Sequence, residues 1–208
     1  MKILFQGDSI TDSSRDRQRE TDMGKGYPLL VKANLGQSEP LKYEFVNRGI
    51  SGNRVVDLYA RIKKDIINIE PDVMSILIGV NDVWHDFTST PNGVDAEKYF
   101  KIYSMLIEEI KQACPDTKIM IMEPFALCAS ATEEKWPEFS KGVLLRAKKA
   151  KEIAKKFNLV FIPLQDKLDN ALKLAPAEYW LGDGVHPTPM GHELIKNEWI
   201  KAFKSLMG

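Results

Sequence analysis

The stretch Val73-Met74-Ser75-Ile76-Leu77-Ile78, closed by Gly79, decides the fold class. It has strand length and is apolar at nearly every position. A strand with one wet face alternates apolar and polar residues, whereas a continuous apolar run is needed when helices cover both faces of the sheet. Upstream, Pro71 ends a segment with Val56, Leu58, Ile62 and Ile66 among its apolar positions; Asn53 is its candidate cap, and a helix is expected as far as residue 69. Downstream, residues 95–113 place Tyr99, Ile102, Tyr103, Leu106 and Ile110 at i/i+3/i+4 spacing, a second helix.

The alternation continues to both ends of the chain. Residues 2–6 and 43–47 read as strands, separated by a polar loop over 7–25 and a helix over 27–35. Residues 118–122 and 159–162 read as further strands. A long loop over 123–137 leads into a lysine-rich helix that ends near residue 157, and its length points to a functional role. A short helix over 165–174 and a loop ending near Pro187 follow, and Pro189 opens the last helix. Strands alternating with helices give an α/β fold, a three-layer α/β/α sandwich on a five-stranded parallel sheet. Right-handed crossovers favour the flavodoxin-like order 2-1-3-4-5, with residues 1–208 as one domain. In that order ligands bind outside the carboxyl ends of the first and third strands. The residues to inspect are therefore Gly7-Asp8-Ser9 and Gly79-Val80-Asn81-Asp82.

Composition removes several classes of function. Lys+Arg and Asp+Glu are both 29, a formal net charge of +0, so no basic footprint of a nucleic-acid binder is present. No apolar run approaches the ~20 residues of a membrane span. The short apolar start, Met1 to Phe5, is not a signal-peptide core, and the expected compartment is the cytoplasm. The two cysteines, Cys114 and Cys128, make no C-x-x-C pattern and read as reduced thiols. No metal and no cofactor are expected. The partner expected is a small-molecule or oligosaccharide ester, with no nucleic acid and no membrane; a homo-oligomer is left open.

Ser9 follows a strand immediately, and a serine hydroxyl is a weak nucleophile until a base takes its proton. The histidines are His85, His186 and His192. His186 lies three residues after Asp183 in Gly182-Asp183-Gly184-Val185-His186-Pro187. Within a turn that spacing sets a carboxylate beside one ring nitrogen and leaves the other for Ser9, the logic of a catalytic triad. Acyl transfer also needs donors for the developing oxyanion. Gly52, after the second strand, offers a backbone N–H, and Asn81, after the third, a side-chain amide.

Four blocks, Gly7-Asp8-Ser9-Ile10-Thr11-Asp12, Gly49-Ile50-Ser51-Gly52-Asn53, Gly79-Val80-Asn81-Asp82 and Asp183-Gly184-Val185-His186-Pro187, resemble those of the SGNH (GDSL-like) hydrolase family. The resemblance implies Ser9 as nucleophile, Asp183 and His186 as the rest of the triad, and an oxyanion hole made by the N–H groups of Ser9 and Gly52 with the amide of Asn81. It implies no metal. Within the family, the stretches Val46-Asn47-Arg48-Gly49-Ile50-Ser51-Gly52-Asn53 and Ile78-Gly79-Val80-Asn81-Asp82-Val83-Trp84 look like those of intracellular bacterial acetylxylan esterases, which implies deacetylation of acetylated xylo-oligosaccharides. Asp8, Trp84 and Trp180 are candidate substrate-binding residues, although Asp8 also reads as a brace of its turn. Lysophospholipase or thioesterase activity on the same scaffold is the first alternative. A non-catalytic carbohydrate-binding or phosphate-binding flavodoxin-like domain is the second; it lacks a G-x-x-x-x-G-K-[ST] loop, and the first helix is expected well after Ser9.

Overall fold

The computed structural model describes residues 1–208. Five parallel strands, β1 (Lys2–Gly7), β2 (Glu44–Asn47), β3 (Val73–Leu77), β4 (Lys118–Met122) and β5 (Val160–Ile162), form one sheet in the order β2-β1-β3-β4-β5. This is the order expected from the sequence. The central strand β3 is buried at every residue, as its unbroken apolar run requires. Ten helices connect the strands: α1 (Ser9–Asp12), α2 (Tyr27–Ser38), α3 (Val55–Ala60), α4 (Ile62–Asp65), α5 (Val80–Trp84), α6 (Ala96–Ala113), α7 (Trp136–Lys156), α8 (Gln165–Ala171), α9 (Ala177–Trp180) and α10 (Pro189–Met207).

Side chains alternate across the strands into two cores. Ile3 and Phe5 of β1 face a core with Tyr27 and Val31 of α2 and Trp199 and Phe203 of α10. Leu4 and Met74 face the opposite core, with Leu58 of α3, Tyr99 and Leu106 of α6, and Ile153 of α7. Helices thus cover both faces. In register, Gly7 at the end of β1 pairs with Leu77 at the end of β3. The segments after these strands therefore leave the sheet side by side at one edge.

Several expectations about the helices are corrected. A helix does begin at Ser9, not well after it: α1 occupies part of the segment read as loop. Four residues are too few to show a period, so sequence patterning cannot reveal such a turn. The helix expected from Asn53 to residue 69 is broken into α3, α4 and a 3-10 turn, Ile67–Ile69. It starts after Arg54, whose N–H donates to Asp57 Oδ2 at 2.8 Å. The break falls at Arg61 (φ −113°, ψ 14°), whose guanidinium turns inward. It donates to Asn53 Oδ1 (2.8 Å), the Arg48 carbonyl (2.8 Å), Asp65 Oδ2 (3.0 Å) and the Gly7 carbonyl (3.3 Å). Asn53 thus binds Arg61 instead of capping the helix. Finally, α7 starts at Trp136, with Pro137 inside its first turn where a missing N–H costs nothing, and α8 stops at Ala171, three residues early.

Candidate active site

Ser9 stands at the carboxyl edge of the sheet, as the first residue of α1. Asp8 caps that helix, its Oδ1 accepting the Ile10 N–H at 3.0 Å. The Ser9 N–H has no partner within the chain, as is usual for the first turn of a helix. Ser9 Oγ lies 2.9 Å from His186 Nε2. On the other side of the ring, His186 Nδ1 lies 2.7 Å from Asp183 Oδ2. The second carboxylate oxygen, Asp183 Oδ1, accepts the N–H groups of Val185 (2.9 Å) and His186 (2.8 Å). One carboxylate therefore shapes the turn and orients the imidazole.

Partial burial alone pushes the Asp183 carboxyl upward. The His186 ring and the two backbone donors together outweigh this and hold it below the ordinary carboxylate range. The bond to Asp183 raises the pKa of His186 above its usual 6.5, against the opposite effect of burial.

The Asp183–His186 loop is braced from outside. Leu181 and Pro187 form an antiparallel bridge across its base. The long loop after β4 grips it from above: the Leu127 N–H donates to the Gly184 carbonyl at 2.9 Å and the Ala131 N–H to the Asp183 carbonyl at 3.0 Å. Gly184 has φ +98°, and a Cβ there would lie 2.6 Å from the Leu127 carbonyl oxygen. Both the strain and the clash fall on the segment that holds the histidine. Gly184→Ala is therefore expected to destabilise the protein by more than about 1 kcal/mol and to lower esterase activity at temperatures where the fold survives. Thermal unfolding and steady-state assay of one preparation check this.

Two further segments end at the same edge of the sheet, although neither Gly52 nor Asn81 lines the cleft at Ser9. The turn after β2 is tied to β1 by Ile50 N–H donating to the Gly7 carbonyl (3.0 Å) and closed by Asn53 N–H donating to the Ile50 carbonyl (3.1 Å). Gly52 sits in that turn at φ +81°, a conformation that suits glycine. Its N–H is unpartnered within the chain. Asn81, in the first turn of α5, donates one amide hydrogen to the Asn53 carbonyl at 3.1 Å, which leaves the second free. Beneath them the Asp82 carboxylate accepts the Val55 N–H at 3.1 and 3.2 Å and anchors α3 to α5. Burial lifts both Asp8 and Asp82 to about 7.

A cleft of ≈ 480 Å³ opens at Ser9, lined by Ser9, Ile10, Asp12, Ser13, Ser14, Ser51, His186, Pro187 and His192. It is polar, with Ile10 and Pro187 as its only apolar side chains. Of the candidate substrate residues, Asp8 lies buried next to Ser9. Trp84 packs edge-on against Phe139 and lines a separate cleft of ≈ 160 Å³. Trp180 donates its indole N–H to the Ala175 carbonyl at 3.3 Å and lines a groove between α8 and α10. Neither tryptophan lines the cleft at Ser9. Sequence reading overlooked Ser13, Ser14, Ser51 and His192. The run of hydroxyl residues from Ser9 to Ser14, and a second histidine six residues after His186, were the available signals. No group of three or more His, Cys, Asp or Glu side chains is arranged to hold a metal ion, and both cysteines are free.

A doubly wound parallel sheet with a serine–histidine–aspartate chain at its carboxyl edge has the layout of an ester hydrolase. The chain belongs to the GDSL-like lipase/acylhydrolase family, whose model matches residues 5–194, and is a carboxylic ester hydrolase. It is 31% identical over 207 residues to an acetylxylan esterase of Geobacillus stearothermophilus, covering 96% of this chain and 92% of that one. The crystal structure of Axe2, an acetylxylan esterase from the same organism, superposes with a TM-score of 0.86 at 32% identity, covering 97% of this chain and 93% of that one. Two solved forms of Axe2 are catalytic mutants, one at a serine and one at an aspartate. A protein of Parabacteroides merdae described as a GDSL-like lipase superposes with a TM-score of 0.92 at 40% identity, covering 99% of this chain and 95% of that one. No helix is long and apolar enough to cross a membrane.

Proposed function

We propose that this esterase removes acetyl groups from acetylated xylo-oligosaccharides through an acyl-enzyme on Ser9. The observation that carries the mechanism is the continuous chain Ser9 Oγ–His186 Nε2–His186 Nδ1–Asp183 Oδ2, with links of 2.9 and 2.7 Å. His186 Nε2 takes the hydroxyl proton as Ser9 Oγ attacks the ester carbonyl. The carbonyl oxygen becomes an oxyanion and accepts from the N–H groups of Ser9 and Gly52 and the free amide hydrogen of Asn81. His186 then gives its proton to the leaving alcohol, and the acetyl group stays on Ser9. A water molecule loses a proton to His186, attacks the acyl carbon and releases acetate; the proton returns to Ser9.

The substrate class draws support from two sides. The Geobacillus relative is an acetylxylan esterase, and Axe2 of that organism is described as an acetyl-xylooligosaccharide esterase. The cleft at Ser9 is lined mainly by hydroxyls and histidines, which suit the sugar half of such an ester. Wild-type enzyme is expected to release acetate from acetylated xylo-oligosaccharides with a kcat/KM at least about tenfold above that for a dodecanoyl ester of the same sugar, the size of one ~1–3 kcal/mol misfit at the acyl position. Equal or greater turnover of the dodecanoyl ester overturns the acetyl assignment.

A further inference from the structure

One wall of the cleft is built by groups that the acyl-transfer chemistry does not use. Ser13 and Ser14 follow α1 and both hold left-handed backbone, φ 41° and 58°, which is costly for a side chain with a Cβ. Ser13 is pinned there: its N–H donates to the Ser9 carbonyl and its carbonyl accepts the Lys25 N–H, both at 2.8 Å. Its Oγ lies 3.4 Å from His192 Nε2. His192 is buried, and its Nδ1 accepts the Tyr27 N–H at 3.1 Å. A ring nitrogen that accepts holds no proton, so in the neutral ring the proton sits on Nε2. Burial keeps the ring neutral, its pKa pushed down to about 4. Nε2–H is thus the donor to Ser13 Oγ, and the Ser13 hydroxyl proton is left for another acceptor. Ser14 and Ser51 add further hydroxyls to the lining. The Asp12 carboxylate beside them is paired with Arg15 at 3.3 Å and Arg17 at 2.9 Å.

The chemistry locates the alcohol half of the ester. His186 must protonate the leaving oxygen, so the alcohol departs on the His186 side of Ser9. The hydroxyl-lined cleft contains both of these residues. We infer that this cleft is the subsite for the leaving alcohol, that it takes a polyhydroxylated alcohol such as a sugar ring, and that Ser13 donates a hydrogen bond to one of its oxygens, with His192 as the positioning residue behind it. The inference deepens the proposed function and rests on it.

The test compares three acetates in wild type and Ser13→Gly, a change that removes the hydroxyl while suiting the positive φ. The acetates are acetylated xylobiose, glycerol monoacetate and 4-nitrophenyl acetate, whose leaving group has no second hydroxyl. The ratio of kcat/KM for the polyol esters to that for the aryl ester is expected to fall about tenfold in Ser13→Gly, the effect of one hydrogen bond. An unchanged ratio overturns the subsite. His192→Phe is expected to lower the same ratio, and the double variant to lower it no further than either single change, because both remove one interaction. Additive losses overturn the role of His192. If wild type ignores acetylated xylobiose yet its preference for glycerol monoacetate over the aryl ester falls in Ser13→Gly, the xylo-oligosaccharide reading fails while the subsite stands.

Discussion

Ser9→Ala is expected to lower kcat/KM on any ester the wild type hydrolyses by at least about 10⁴-fold, with the fold intact. The size of the effect follows from the arrangement of the site. Ser9 Oγ makes its hydrogen bond to His186 and to no other group, so its removal leaves no buried polar atom behind and costs little stability. No neighbouring hydroxyl can replace it. Ser13, the nearest rival in type, is bonded to His192, and His192 presents Nε2–H to it, a donor where a base is required. Ser14 and Ser51 line the cleft but make no hydrogen bond to either histidine. The residual rate is then what oxyanion stabilisation and binding alone supply to attack by water. Circular dichroism and steady-state kinetics on one preparation separate the chemical effect from misfolding. Retention of more than about one part in a hundred of the activity would remove Ser9 from the nucleophile's role.

The sheet order and the place of the candidate site were legible because both depend on patterns that survive without tertiary context. The apolar run at 73–78 fixes a strand covered on both faces, and a parallel sheet with five strands has few topologies left. The Asp183–His186 pair was legible because its geometry is local: one turn of chain brings the carboxylate to the ring. What escaped the sequence depends on long-range packing. Arg61 breaks a helix because its guanidinium is drawn to the carbonyls of Arg48 and Gly7, which are distant in sequence. His192 meets Ser13 only because α10 packs across α2 and carries its first turn to the edge of the sheet. Trp84 and Trp180 show the converse: each follows or precedes a site block closely, yet each faces a different cleft. Nearness in sequence does not say which way a ring turns at the end of a four- or five-residue helix.

The buried carboxyls under the site also have a role that packing alone makes visible. Asp8 is almost fully buried, and its Oδ2 has no partner. Its burial is tolerated because Oδ1 caps α1 and so fixes the residue that follows, Ser9. Asp82 does the same for α3 through the Val55 N–H. Each carboxyl holds one helix start at the carboxyl edge: α1, which begins with Ser9, and α3, which begins shortly after Gly52. Rigid elements thus carry the groups proposed to react, which is the arrangement that preorganised donors require.

Asp183→Asn is expected to cost about as much as the loss of the nucleophile's base, about 10⁴-fold in kcat, although it changes one atom. Asn keeps an oxygen where Oδ1 now accepts the Val185 and His186 N–H groups, so the turn survives. At the Oδ2 position it places an NH₂ against His186 Nδ1, where the present contact is 2.7 Å. An NH₂ donates and cannot accept, so Nδ1 must become the acceptor and the ring proton moves to Nε2. His186 then points a donor at Ser9 Oγ across 2.9 Å and cannot take its proton. The pH profile supplies an independent reading. Asp183 is the chief cause of the raised His186 pKa, and a protonated His186 cannot act as base. Wild-type activity is therefore expected to rise with pH through a midpoint above the ordinary histidine value of 6.5. In Asp183→Asn the ring loses its anionic partner while burial still disfavours its charge, so the midpoint moves to lower pH even as the plateau collapses. A variant within tenfold of wild type, with an unmoved acid limb, would mean that Asp183 only shapes the loop through Oδ1 and that another group sets the tautomer of His186.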